Sequence, residues 1–399
     1  TPSCLPGRIP AGTWNVLIGV PNIRPQITSQ YTLQIWFTRT GLVGDEPAVL
    51  REPLRTGPGW YRGDLHMHTG HSDGQCPSQA GRMVPCPVFF TVDAAARRGL
   101  DFIAVTDHNA TSQYDAMREL QPYFDKLLLI PGREITTFQG HLNFLGTTDF
   151  LDFRLGSATV PDVNTLLRNA EKLGALVSIN HPAAPTGEVC MGCGWTPAQP
   201  VDMHLLQAIE AVNGGSANPA FSGIPFWEQQ LNLGYRLTAI GGSDNHRPMI
   251  PLDQAGSIGH PTTVVYAAAL STPDILSGIR AGHVFIDLTG SRDRILEVHV
   301  QAGSSSAVMG GDLRASSGDD IVVEVHVVGC QGATANLLLD GNSSPRQQVT
   351  GPDENLRFHL QADGKRGWLL AEIRDNRGQL LLLGNPVYLN RDSLQDSRN

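Results

Sequence analysis

The hydrophobic pattern changes character twice along the chain. Between about Trp60 and Asp287, short apolar runs alternate with segments of helical period, whereas both flanks alternate apolar and polar residues as antiparallel strands do. In the middle region "VFFTVDAAARRG" predicts a helix closed by Gly99, and "LDFIAVTDHN" a buried strand. "KLLLIPGREIT" and "GHLNFLG" read as strands, "VNTLLRNAEKLG" as a helix, "ALVSINHP" and "LLQAIEAVNG" as strands, "PFWEQQLNLG" as a helix and "YRLTAIGGSDNH" as a strand. "TPDILSGIRAG" predicts a helix with Thr272 as N-cap, Pro273 at its first position and Gly282 as its stop. Repeated strand-helix units of this length imply an α/β fold, a parallel sheet covered by helices, either open or closed into a barrel.

On the flanks, "GTWNVLIGV" and "QYTLQIWFTRT" precede this region, and "ILEVHVQAG", "DIVVEVHVVG", "ANLLLDG", "LRFHLQAD" and "WLLAEIRD" come after it at sandwich-like spacing. With 399 residues the chain has room for a large domain and lesser modules. The pattern divides it into a β-strand segment at 1–58, too short to close a sandwich alone, an α/β domain at 59–290, and a β-sandwich-like module at 291–399.

A net charge of −9 opposes the counterion release that rewards binding to long nucleic acids. No apolar run approaches the roughly 20 residues that span a bilayer, so no membrane partner is expected. Lys126, Lys172 and Lys365 are the only lysines, which argues against Schiff-base or lysine-phosphate chemistry and leaves anions to arginine, backbone N–H groups or metal. Of six cysteines, Cys76 and Cys86 lie in one Gly/Pro-rich loop and Cys190 and Cys193 in another. Loops stapled in an oxidising compartment would place the protein in the periplasm or outside the cell; reduced thiols would leave it in the cytoplasm. A C-x2-C can also mark zinc, but a second such pair is missing.

The candidate chemistry begins in "GDLHMHTGHSDG" and continues at the ends of the later strands. His66 and His68 end the first predicted strand, His108 the next and Glu134 another; His181, then Asp244 and His246, end later ones. Parallel-strand carboxyl ends converge on one rim, and residues two apart on a strand face the same way, so H-x-H and D-x-H pairs can share an ion. His141, at the start of its strand, and Asp73 complete nine candidate ligands, too many for one zinc and enough for two or three cations.

In this order the set resembles the polymerase and histidinol phosphatase (PHP) family of metal-dependent hydrolases: H-x-H, "SDG", "TDH", a bridging Glu, two separated histidines and a closing D-x-H. "GREITTFQGHLNFLG" and "GGSDNH", with β modules on both sides, look most like its CehA/McbB branch, which includes carbaryl hydrolases. The resemblance covers about residues 60 to 290 and implies a distorted seven-stranded (β/α) barrel. It implies one metal on His66, His68, Glu134 and Asp244, a second on Asp73, His108 and His246, and a third, where present, on Glu134, His141 and His181. Glu134 would bridge. Asp73, where some relatives carry His, hardens the second position and favours Mn or Fe over Zn there.

Two or three close dications would acidify a bridging water and spread the charge of the transition state. Arg133 and Arg247 adjoin ligands and would clamp a phosphate or carboxylate, although an arginine there also fits a structural charge. His71 would shuttle a proton or support a ligand, Asn109 and Asn180 would orient ligands, and Trp195 would line the substrate pocket or anchor a loop. Hydrolysis of small phosphomonoesters or phosphodiesters is the leading expectation. Carbamate or carboxylic ester hydrolysis is the alternative, and a non-catalytic metal-binding scaffold is the reading from a different class.

Overall fold

The computed structural model describes residues 11–14, 26, 28, 30–33, 52–188, 190–214 and 221–391. The two strands expected in the first forty residues lie almost wholly outside them. Strand β1 (Arg55–Asp64) crosses the boundary expected at 58. After it come a small hairpin of β2 (Gln75–Pro77) and β3 (Met83–Pro85), then α1 (Val88–Arg98), β4 (Phe102–Val105), α2 (Gln113–Leu120), β5 (Leu128–Thr137) and β6 (Gly140–Leu145). Next come α3 (Val163–Lys172), β7 (Leu176–Ile179), β8 (Ala208–Asn213), α4 (Ile224–Asn232), β9 (Thr238–Gly242), β10 (Thr262–Leu270), α5 (Thr272–Arg280) and β11 (Val284–Asp287).

The helix ends obey local chemistry. Gly99 takes a left-handed φ of 80° and returns its N–H to Ala95 and Ala96, closing α1 where the glycine predicted it. Asp162 caps α3 by accepting from the Thr165 N–H. The cap of α5 is Ser271, whose hydroxyl accepts from the Asp274 N–H, so Thr272 occupies the first turn instead of the cap and Pro273 moves one position inward. Both residues carry a hydroxyl, and the extended backbone at Ser271 decides between them.

The result is a mixed α/β fold built on one large sheet, with the strand order β1-β4-β5-β6-β7-β8-β9 on one side of β1 and β10-β11 on the other. β1, β4 and β5 run parallel, as do β7, β8 and β9. β6 breaks the expected all-parallel pattern: it returns from β5 through a tight hairpin, Thr137 opposite Gly140, and pairs antiparallel with β5 and β7. Beyond the strand ends, the chain after β1 meets the chain after β9, with Met67 bridging Asn245 and the N–H groups of Asp244 and His68 bonding to His66 O and Asn245 O. β4, β7 and β9 are buried throughout, as sheet strands covered on both faces must be.

The remaining strands are β12 (Ile295–Ala302), β13 (Ser305–Val308), β14 (Asp312–Leu313), β15 (Asp320–Val328), β16 (Thr334–Leu339), β17 (Asn342–Gln348), β18 (Asp353–Gln361), β19 (Gly367–Arg374), β20 (Leu380–Gly384) and β21 (Val387–Leu389). β13-β12-β15-β18 form a separate four-stranded sheet, and the others join the large sheet where β20 pairs with β11. Leu296, Val298, Val323 and Val325 of the small sheet share one core with Leu369, Ala371, Ile373 and Leu382 of the large one. The inward-outward alternation of β12 and β15 is what this face-to-face packing requires. Among the described residues no helix is long and apolar enough to cross a membrane.

Candidate metal centre

Eight of the nine expected ligands lie on or just past six strands of the large sheet, and Asp73 lies in the loop between β1 and β2. His66 and His68 leave β1 on one side, with their Nε2 atoms 3.2 Å apart. His108 comes just after β4 and bridges to Glu134 of β5, and Asp244 and His246 lie just past β9. His181 lies two residues past β7. The reversal of β6 explains His141: an antiparallel strand begins at the rim where its neighbours end, and His141 pairs with Thr136 beside Glu134. His181 and Asp244 hold left-handed φ values of 27° and 51°, strained backbone of the kind that persists where surrounding structure fixes a functional side chain.

Glu134 is the hub. It is fully buried, with Oε1 3.2 Å from His141 Nδ1, 3.1 Å from His181 Nε2 and 3.4 Å from His66 Nε2, and Oε2 2.8 Å from His108 Nδ1 and 3.5 Å from His68 Nε2. Asn180 donates to Oε1 at 2.9 Å, whereas Oε2 has no hydrogen bond despite its nearness to His108, whose Nδ1 lies closer to Thr136 Oγ1, at 2.6 Å. A buried carboxylate oxygen left without a donor suits a cation. Asp244 Oδ1 lies 3.1 Å from His68 Nε2 and 3.3 Å from His66 Nε2, and exposed Asp73 faces His246 Nε2 at 3.3 Å and His108 Nε2 at 3.9 Å.

Among the described residues, four groups therefore bring ligand atoms within 4.8 Å of one another: His66, His68 and Glu134; His66, His181 and Asp244; His108, Glu134 and His141; and His68, Asp73, His108 and His246. A fifth joins His141 and His181 to Cys193, which the sequence reading placed in a loop staple and, for want of a second C-x2-C, did not count among the ligands. The donor set of imidazole and carboxylate fits divalent transition metals.

Several rings are oriented from behind. A carbonyl can only accept, so His181 donates Nδ1–H to Cys193 O at 3.1 Å, His141 donates Nε2–H to Met191 O at 3.3 Å, and His246 donates Nδ1–H to Asp244 O at 2.8 Å. His66 Nδ1 donates to Glu210 Oε1 at 3.0 Å. Each ring then presents its other nitrogen to the centre, the usual way a protein fixes a ligating tautomer. Glu210, buried in β8, is a participant the sequence reading missed; its other oxygen accepts from the His181 N–H and from Asn213. The signal was there, a carboxylate inside the otherwise apolar "AIEAV". Asp107, buried and accepting from Thr69 and Ser72, was likewise missed and braces the loop that carries Asp73. The Cys76–Cys86 disulfide holds the same loop, since Cys86 exchanges backbone hydrogen bonds with Gly70 and Gly74.

The remaining candidates separate. Arg133 is buried behind β5, its guanidinium donating to Asp149 O and lying 5.1 Å over the Phe144 ring; strand alternation turns it away from Glu134, so it is a structural charge and no clamp. Arg247 is exposed beside His246. His71 sits 2.7 Å from Ser112 Oγ and joins none of the ligand groups. Asn109 clamps the Thr136 backbone with both ends of its amide. Trp195 lies over Gly140, where an added Cβ would come within 2.4 Å of the indole, so it anchors its loop to the β5–β6 hairpin.

Charge in the cluster is strongly coupled. Burial alone would drive His181 and His246 down, but Glu134 and Asp73 respectively outweigh it and push both up to about 9. Burial would raise Asp73, and His246, with His108 and His68, instead holds it down to about 2. In metal-free protein these pairs stabilise the fold most between roughly pH 4 and 6.5; the contribution fades as pH rises through about 9 or falls through about 2. A cation must displace the imidazolium protons, so its affinity has the opposite slope. Between pH 6.5 and 8.5, the Tm of chelator-treated protein should drift down while the rise in Tm on adding Mn(II) grows. A metal-induced rise that shrinks with pH would exclude these histidines as ligands.

No protein-family profile matches the chain, and no curated protein matches it. Among solved structures it is similar to a proposed metal-dependent phosphoesterase from Bifidobacterium adolescentis, at 15% sequence identity and a TM-score of 0.31, over 46% of this chain and 87% of that one.

Proposed function

We propose that this chain is a metal-dependent hydrolase of the PHP type, of the CehA/McbB-like branch, acting on small phosphomonoesters or phosphodiesters. The observation that carries the reading is the fully buried Glu134, ringed by His66, His68, His108, His141 and His181 with one carboxylate oxygen left without a hydrogen bond. His66, His68, Glu134 and Asp244 would hold one cation, Asp73, His108 and His246 a second, and Glu134, His141 and His181 a third, drawn from zinc, manganese or iron. Bound there, the cations supply a water of lowered pKa and neutralise charge on the substrate oxygen. The chain's own contribution is orientation: Glu210, Asn180 and the carbonyls of Met191, Cys193 and Asp244 fix the rings, and Arg247 offers a guanidinium to an anionic group.

In this reading the seven strands from β1 to β9, joined at the Met67–Asn245 bridge, are a distorted barrel spanning 59–290, flanked by β modules at 1–58 and 291–399. The net charge of −9 and the absence of lysine from the site suit a small ester over a long nucleic acid or a membrane surface. The disulfide pairing of Cys76 with Cys86 and of Cys190 with Cys193 supports export.

The burial of Arg133 away from the centre favours a second reading, hydrolysis of carbamates or carboxylic esters, and Phe138, 65% exposed at the hairpin tip near His141, adds an apolar rim. Hydrolysis of p-nitrophenyl phosphate, its diester and 1-naphthyl carbamate by metal-loaded protein separates the two. Arg247→Ala should raise KM for the phosphoester by about tenfold, one lost charge-assisted contact, and spare the neutral carbamate. Faster cleavage of the carbamate with no effect of Arg247→Ala would replace the phosphoesterase reading. No turnover by fully loaded protein would leave the scaffold.

A further inference from the structure

The loop that carries "CMGC" does more than close over the centre. Cys190 and Cys193 form a disulfide with Cα atoms 5.6 Å apart, Cys190 half-buried and Cys193 buried. Cys193 Sγ lies within 4.8 Å of a ring nitrogen of His141 and of His181, which also lie within that distance of each other. The turn between the cysteines is seated independently of the sulfur bond. Gly192 has a φ of 77°, and a Cβ there would approach Thr137 O to 2.0 Å and Phe138 Cα to 2.7 Å; Trp195 N–H bonds to Pro182 O and Thr196 N–H to Gln139 O. Breaking the disulfide would free the sulfur without releasing the backbone that presents it.

We infer that Cys193 is a redox-gated ligand that joins His141 and His181 in holding a thiophilic divalent cation, withheld while it is in the disulfide and supplied when a dithiol reduces it. The inference rests on the metallohydrolase reading for the supply of cations, and adds a ligand and a switch to it. In the reduction, a thiolate of the dithiol attacks the more accessible Cys190 sulfur; a new S–S bond forms as the Cys190–Cys193 bond breaks, and the electron pair leaves on Cys193. The dithiol's second thiol resolves the mixed disulfide, Cys190 departs as a thiol and the dithiol ends as its cyclic disulfide. The Cys193 thiolate is left beside two imidazoles that also face Glu134, a set of nitrogen, sulfur and oxygen donors that zinc accepts, whereas the carboxylate-rich Asp73 group favours harder ions.

Cobalt(II) is the probe, because thiolate ligation gives it an intense near-ultraviolet charge-transfer band that imidazole and carboxylate do not. Full-length protein should be compared as oxidised wild type, as wild type reduced by a dithiol that is then removed without air, and as Cys190→Ser and Cys193→Ser. The band should appear in reduced wild type and in Cys190→Ser, and be missing from oxidised wild type and from Cys193→Ser in either state. Cobalt bound in stoichiometric amount without the band, in both reduced wild type and Cys190→Ser, overturns the inference alone. So does an undiminished band in reduced Cys193→Ser, which would trace it to another cysteine. Failure of every form to bind cobalt overturns the metallohydrolase reading with it. Reduced wild type keeps the test decisive if Cys190→Ser folds poorly.

Discussion

Glu134→Gln should empty the metal centre as a unit. The carboxylate faces five imidazoles, and burial, which would raise its pKa, is outweighed by His108 and His66, so it is held well below the usual carboxylate range. An amide keeps the shape, loses the charge, and turns an N–H2 toward at least one ring nitrogen. Each group that includes Glu134 is weakened together, and we expect metal content to fall below one equivalent and kcat/KM by about a thousandfold, roughly 4 kcal/mol of barrier. His141→Ala removes a ligand from the rim hairpin alone and should cost about tenfold. Metal analysis beside the kinetics checks this; equal, mild losses in both variants would remove Glu134 from its bridging position.

The second large effect is expected at Glu210, which touches no candidate cation. Its oxygens hold His66 Nδ1 at 3.0 Å, the His181 N–H at 3.0 Å and Asn213 Nδ2 at 2.9 Å, tying ligands from β1 and β7 to β8. Glu210→Ala frees the His66 ring and strands two buried donors, the His66 Nδ1–H and the His181 N–H, each worth about 1–3 kcal/mol when unpaired. Metal affinity should fall by about 10–100-fold, the usual consequence of removing the partner behind a ligating histidine, and Tm should fall in the metal-free protein as well. Glu210→Gln should recover part of the stability and less of the affinity, because one amide oxygen can still accept from the His181 N–H. An Ala variant with unchanged affinity would show that His66 is positioned by its own strand.

The ligands were legible in the sequence because strand alternation leaves a written trace. Two histidines separated by one residue after an apolar run must face one way, and the same holds for Asp244 and His246. Gly99 marked a helix end for an equally local reason, a left-handed φ that other residues resist. What was not legible is relational. "GHLNFLG" is apolar enough to be a strand, but such a run carries no direction, so the reversal of β6 had to come from the hairpin at 137–140. Arg133 and Glu134 are neighbours in sequence and opposites in space, and whether the arginine faces substrate or core depends on which face of β5 holds the metals. Cys193 was read through its partner Cys190, and its nearness to His141 is set by the packing of one loop against another.

The pairing of β11 with β20 has a consequence for how this chain can be cut. Phe285, Ile286 and Asp287 lie between Thr262–Val264 of β10 and Leu382–Gly384 of β20, bonded on both sides. Ending the chain after β11 would bare a row of backbone donors and acceptors beside two large apolar side chains, the kind of open flank that recruits strands from other molecules and drives aggregation. The region that carries the histidines therefore has its outer strand sheltered by the C-terminal residues. A shortened protein would need that flank charged or covered by other means before its chemistry could be measured in solution.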